Sequence, residues 1–201
     1  PVAMQALLIQ AGLEINLRQE PILARKACKN EQEIAGFREA HLRDGLALCR
    51  FWHWLENSAI DTSPSEAELA EKLTSFRAED HSYICNSFAT IAGFRDNGAI
   101  VHYRAIKGRD KMLDTDGVLL LDSGAHYQMG TTDITRTLFF GPAAASPPEA
   151  AITQASYVLA AQIELARAQF PNGTTGAQLD AICRAPLWAH ALDFGHGTGH
   201  G

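Results

Sequence analysis

The strongest constraint on this sequence is the run Leu119-Leu120-Leu121-Asp122-Ser123-Gly124, an apolar strand that ends in a carboxylate. A lone ionised Asp on a buried strand is costly unless it is paired or binds a cation. Eleven residues further on, Asp133 begins a second strand in Gly130-Thr131-Thr132-Asp133-Ile134-Thr135-Arg136-Thr137. A turn from Gly124 to Gly130 would fold these strands into an antiparallel pair and set the two acids side by side. Carboxylates at that range repel, so such a pair shares a cation or a proton. The same spacing also suits a hairpin whose acids face solvent and cap turns.

The remaining chain frames these strands with helices. Ala3 to Ile9 reads as a helix stopped at Gly12, and Glu14-Ile15-Asn16-Leu17 alternates like a short strand. Pro21 with Arg25, Lys26 and Lys29 reads as a junction. Asn30 and Glu33 have capping-box spacing ahead of a helix to about Asn57, and Ser65 with Glu68 repeats that signature after a turn at Asp61 to Ser65. From Tyr83 the texture is β-rich, with strand-like stretches at Ile84 to Ile91, Ala99 to Tyr103, Val118 to Asp122 and Thr135 to Phe140. Helices are expected again from Ser146-Pro147-Pro148-Glu149 to about Phe170, and from about Thr175 to Ala191. Helices, then strands, then helices make an α+β order with antiparallel strands.

The run Phe194-Gly195-His196-Gly197-Thr198-Gly199-His200-Gly201 carries two histidines four apart among glycines. Imidazole is a common transition-metal ligand, and glycine lets the backbone approach a site closely. A tag-like or flexible tail has the same composition. Ile100-Val101-His102-Tyr103 adds a histidine on an expected strand, where a structural role is equally open.

Composition narrows the function classes. A hydrophobic share of 46% and a charged share of 20% exclude a disordered tail. A net charge of −6 gives no basic footprint for nucleic acid, and no apolar run reaches the roughly 18–20 residues that cross a bilayer. Cys28, Cys49, Cys85 and Cys183 lack ligand spacing and read as reduced thiols, which fits a cytoplasmic protein. No signal peptide is expected, and Pro1 in place of Met fits a processed end or an internal piece.

The order of strand histidine, LLLDSG, GTTDITRT, helix pair and HGTGHG resembles the aminopeptidase P branch of the M24 peptidases, the methionine aminopeptidase and prolidase superfamily. The resemblance implies a pita-bread fold, incomplete at its C-terminus. Residues 26–201 match the first two-thirds of the family's catalytic domain, and residues 1–25 the tail of a preceding domain. It implies a metalloaminopeptidase that removes the N-terminal residue from peptides with proline in second position, through a hydroxide bridging two divalent metals. Manganese is the expected metal, with zinc or cobalt as alternatives. By resemblance Asp122, Asp133 and His200 match metal ligands, with Asp133 bridging. His102 matches the histidine that steadies the reacting carbonyl, and His196 one on the substrate-binding side. Thr135 and Arg136 would support the ligands, Arg136 by pairing with a carboxylate.

The family's two glutamate ligands lie beyond Gly201, so the segment alone is expected to be inactive. The expected partners are peptides with penultimate proline and a second copy of the full-length protein, with no nucleic acid and no membrane. The alternatives are an Xaa-Pro dipeptidase (prolidase) and a non-catalytic pita-bread module that binds peptide or protein.

Overall fold

The computed structural model describes residues 2–16, 18, 20–114, 116–142 and 145–200. Helix α1 (Val2–Gln10) and helix α2 (Pro21–Ala27) carry no buried residue. The expected strand at Glu14 to Leu17 is not formed over Glu14–Asn16, which is irregular; Leu17 lies outside the described residues. The expected junction at Pro21 is instead helical. Pro21 takes the first helical turn, where a missing N–H is harmless, and Glu20 accepts from the Ile22 and Leu23 amides.

Helix α3 (Glu31–Asn57) starts at Asn30 with the reciprocal Asn30–Glu33 capping box. Its buried positions Ala40, Asp44, Ala47, Leu48, Phe51 and Leu55 follow helical periodicity. The expected turn at Asp61 to Ser65 begins as the short helix α4 (Ala59–Thr62), which ends at Ser63 in the left-handed region, φ 44°. Helix α5 (Glu66–Arg77) then starts at the Ser65–Glu68 capping box.

The strands form two three-stranded antiparallel sheets. One pairs β1 (Tyr83–Asn86), β4 (Ala125–Tyr127) and β5 (Gly130–Thr131). The other pairs β2 (Ile91–Phe94), β3 (Gly117–Ser123) and β6 (Ile134–Phe140). The expected strand Ile84 to Ile91 is thus two strands in different sheets, broken where the Ser87 amide and hydroxyl turn to the carbonyls of Gly124 and Thr132. The expected strand Ala99 to Tyr103 is absent. A 3-10 turn at Arg95–Ala99 precedes a tight turn that holds His102 at φ 54°.

Leu119 and Leu121 of β3 face α3 and α5, joining Leu48, Phe51, Leu55, Leu69, Leu73, Phe94 and Phe140 in the main core. Strand alternation therefore turns Asp122 to the opposite face. Two glycines allow the sheets and helix to close up. A Cβ on Gly36 of α3 would lie 2.2 Å from the Met129 carbonyl oxygen, and one on Gly124 only 2.1 Å from that of Thr132.

Helices α6 (Glu149–Arg167) and α7 (Gly176–Trp188) pack on each other through a separate cluster of Ala161, Cys183 and Leu187. Both end short of expectation, at Arg167 rather than Phe170 and at Trp188 rather than Ala191. Pro186 removes a backbone donor in the last turns of α7, and Ala191 at φ 55° turns the chain away from the helix axis.

Candidate metal centre

Asp122 is the penultimate residue of β3 and pairs in register with Thr135 of β6. Asp133 lies two residues before Thr135, so alternation puts its side chain diagonal to Asp122 on the same face. The sequence expectation of adjacent acids is met through this diagonal. The intervening residues are not a simple turn, because β4 and β5 leave for the other sheet.

The Thr135 hydroxyl donates to Asp122 Oδ1 at 2.8 Å. Partial burial pushes the Asp122 carboxyl up, and the Asp133 charge adds to that. The Thr135 hydrogen bond and the nearby His102 and His200 pull it the other way. One carboxylate thus sits within electrostatic reach of a second acid and two imidazoles. His200 Nε2 lies 3.4 Å from Asp133 Oδ2. Arg136 pairs with Leu121, on the face away from Asp122, and its guanidinium donates to the Thr135 carbonyl at 2.7 Å. The expected pairing of Arg136 with a carboxylate is replaced by this local bond, since strand alternation turns it from the acids.

Behind the two aspartates lies a network that sequence reasoning missed. Arg77 and Asp44, both 0% exposed, form a two-point pair at 2.6 and 3.0 Å. Arg77 also donates to Ser123 Oγ at 3.1 Å and the Gly124 carbonyl at 3.4 Å. Asp44 accepts from Thr132 Oγ1 at 2.6 Å and from the Tyr127 hydroxyl at 3.1 Å. Burial and the Asp44 charge push the Tyr127 phenol up. Ser123 follows Asp122 and Thr132 precedes Asp133, so one buried ion pair fixes the backbone beside both acids.

The turn carrying His102 has its own anchor. Buried Glu66 accepts from the Phe94 and Lys111 amides, Asn97 Nδ2 and the Tyr103 hydroxyl, the last at 2.7 Å. Such a fixed neighbour offsets the roughly 1–3 kcal/mol of holding His102 in a left-handed conformation. His196 stacks on Phe194 with ring centroids 4.7 Å apart. His102 and His200 act electrostatically on Asp122, and His196 Nδ1 lies 2.7 Å from the Gly197 carbonyl.

Two carboxylates and an imidazole are a donor set for manganese, cobalt or zinc. A cation would offset both the burial and the repulsion at Asp122. The donors approach pairwise, and among the described residues no three acidic, histidine or cysteine side chains converge closely enough to form a metal cluster. The set fits one side of a metal centre.

Known proteins resemble this chain in sequence and in fold. A curated protein of Neurospora crassa named probable Xaa-Pro aminopeptidase P is 44% identical over 185 residues, covering 91% of this chain and 26% of that protein. The crystal structure of X-prolyl aminopeptidase from Caenorhabditis elegans, described as a cytosolic enzyme with a di-nuclear active site, superposes with a TM-score of 0.81. It is 41% identical, over 90% of this chain and 29% of that one. Prolidase from Pyrococcus furiosus superposes with a TM-score of 0.66 at 26% identity, over 81% of this chain and 44% of that one. This chain therefore spans under a third of the length of the Neurospora protein and of the worm enzyme. The sequence profile of metallopeptidase family M24 matches residues 35–201, the stretch that runs from the Asp44–Arg77 support through both aspartates to His200, and the chain belongs to that family.

Proposed function

We propose that this chain is part of a two-metal aminopeptidase that removes the N-terminal residue from peptides with proline in second position. The observation that carries this reading is the shared face of Asp122 and Asp133, with His102 and His200 within electrostatic reach. The neighbouring folds support it, since the worm enzyme is described as di-nuclear. Asp122 and His200 would each hold one metal, and Asp133 would bridge the two. When bound, the metals supply Lewis acidity that activates water and polarises the scissile carbonyl.

The protein groups do the rest. Thr135 holds Asp122 through one oxygen, leaving lone pairs for a cation. His102 offers a ring nitrogen to the reacting carbonyl from a turn fixed by Glu66 and Tyr103. His196 lines the side where the substrate lies. Proline lacks an amide N–H, so a site that polarises the carbonyl without gripping that N–H accepts it.

Residues 26–201 are proposed as the first part of the catalytic domain and residues 1–25 as the end of a preceding one, in keeping with helix α1, which buries nothing, although α2 runs across the 25/26 boundary. Manganese as the metal, a cytoplasmic setting and a dimeric full-length protein belong to the same proposal. The segment by itself is expected not to turn over.

The test is release of the first residue from an Xaa-Pro-Xaa tripeptide by the full-length protein, first with EDTA and then with added Mn²⁺. Metal-dependent cleavage lost in Asp133→Ala supports the reading. The prolidase neighbour supports a second reading, in which only Xaa-Pro dipeptides are cleaved; activity on dipeptides and none on tripeptides would favour it. A folded protein that cleaves neither under any metal would point to a binding module.

A further inference from the structure

We propose that Arg184 is a positioning residue that clamps the histidine loop 193–200 onto α7 and so sets the place of His200. This rests on the metal-centre reading for what the loop does, but not for how the loop is held. The Arg184 guanidinium, with its side chain 14% exposed, spends its donors almost entirely on this loop. Nη1 donates to Asp193 Oδ1 at 2.6 Å and to the Phe194 carbonyl at 2.7 Å, and Nη2 donates to the His196 carbonyl at 2.8 Å. Nε donates to Asp180 Oδ2 at 2.7 Å, one turn back on the same helix. The guanidinium also lies over the Phe194 ring, 4.0 Å from its centroid.

Two further bonds complete the clamp. Asp180 accepts from Thr198 Oγ1, and Asp193 accepts from the Trp188 indole at 2.9 Å. Residues 193, 194, 196 and 198 are thereby tied to α7 at the Arg184 guanidinium, the Asp180 carboxylate and the Trp188 indole. A glycine-rich loop has no stiffness of its own, because Gly195, Gly197 and Gly199 restrict nothing. The helix has to supply what the loop lacks. Only a planar fork reaches two carboxylates and two carbonyls together, so Lys at this position would satisfy one or two of them.

The experiment uses the full-length protein and its Arg184→Met and Arg184→Lys variants. Hydrogen exchange is followed over residues 193–200 in the metal-free state, and Mn²⁺ affinity is measured by elemental analysis after dialysis against graded Mn²⁺. Loss of the clamp is expected to remove exchange protection in this loop alone. It should also raise the Mn²⁺ concentration for full occupancy by about 10–100-fold, as for other residues that orient a ligand. Asp193→Asn, which leaves the carbonyl bonds intact, should fall between wild type and Arg184→Met, and it stands in if Arg184→Met does not fold. Unchanged exchange in a folded Arg184→Met protein overturns the clamp. A wild-type protein that takes up no metal overturns the metal-centre reading instead, and the exchange result still decides the clamp.

Discussion

The aspartate half and the histidine half of the site are held by opposite means. Asp122 and Asp133 stand on a sheet whose backbone is fixed from behind by a fully buried ion pair, Asp44–Arg77. His200 is 80% exposed, on a glycine loop fixed from the side by Arg184. The first half is built into the core, so disturbing it threatens the fold. The second is attached to a helix, so disturbing it moves the proposed ligand His200 and leaves the fold standing. A centre assembled this way has a rigid floor and an adjustable wall.

The largest expected effect tests the rigid half. Asp44→Ala leaves the Arg77 charge buried without its partner and should cost about 3–5 kcal/mol in denaturant unfolding. A loss below about 1 kcal/mol would mean the pair is not what fixes the acids. Gly124→Ala comes next. Its Cβ would press on the Thr132 carbonyl and Ser87, backbone and side chain that also hold the strands, and overpacking of this kind costs about 1–3 kcal/mol. Ser65→Ala removes the α5 cap together with a side-chain hydrogen bond to Asp110, and about 1 kcal/mol is expected.

Acid should separate the halves by sign, and this is the smallest effect. Asp180 is held below the ordinary carboxylate range by Arg184 and Thr198, and Asp193 by Trp188, the Phe194 amide and Arg184. Their contribution to loop order is present above that range and is lost as pH falls through the depressed values. Asp122 is raised, so the folded state takes up its proton more readily than the unfolded chain. Its contribution therefore becomes more favourable as pH falls from neutral towards its raised value. Trp188 emission during acid titration of the metal-free protein reports the first. Comparing unfolding midpoints of wild type and Asp122→Asn over the same range reports the second. Opposite signs sharpen the comparison, and equal signs break it.

The sequence made much of the first half legible and little of the second. The apolar run into Asp122, the second acid at Asp133 and the capping boxes at Asn30 and Ser65 are local patterns, and each survives folding. Asp44 also left a signal, an acid on the apolar stripe of α3 between Ala40 and Ala47. Its partner Arg77 is 33 residues away and no spacing rule reaches it. His102 was expected on a strand because its neighbours are β-formers. Glu66 and Tyr103 instead fold that stretch into a turn through contacts distant in sequence. Arg184 offered only an i,i+4 pairing with Asp180, the most ordinary pattern on a helix surface. Its role arises because the chain returns through Ala191 and lays two carbonyls beside it.

The most direct test of the central claim is metal content per chain. Full-length wild type, Asp133→Ala and Thr135→Val would be loaded with Mn²⁺, desalted and measured by elemental analysis, with circular dichroism to establish folding. Two equivalents in wild type, a reduced content in Thr135→Val and loss of both in a folded Asp133→Ala protein are predicted, because Asp133 is shared by the two sites. Two equivalents retained in folded Asp133→Ala would contradict the account.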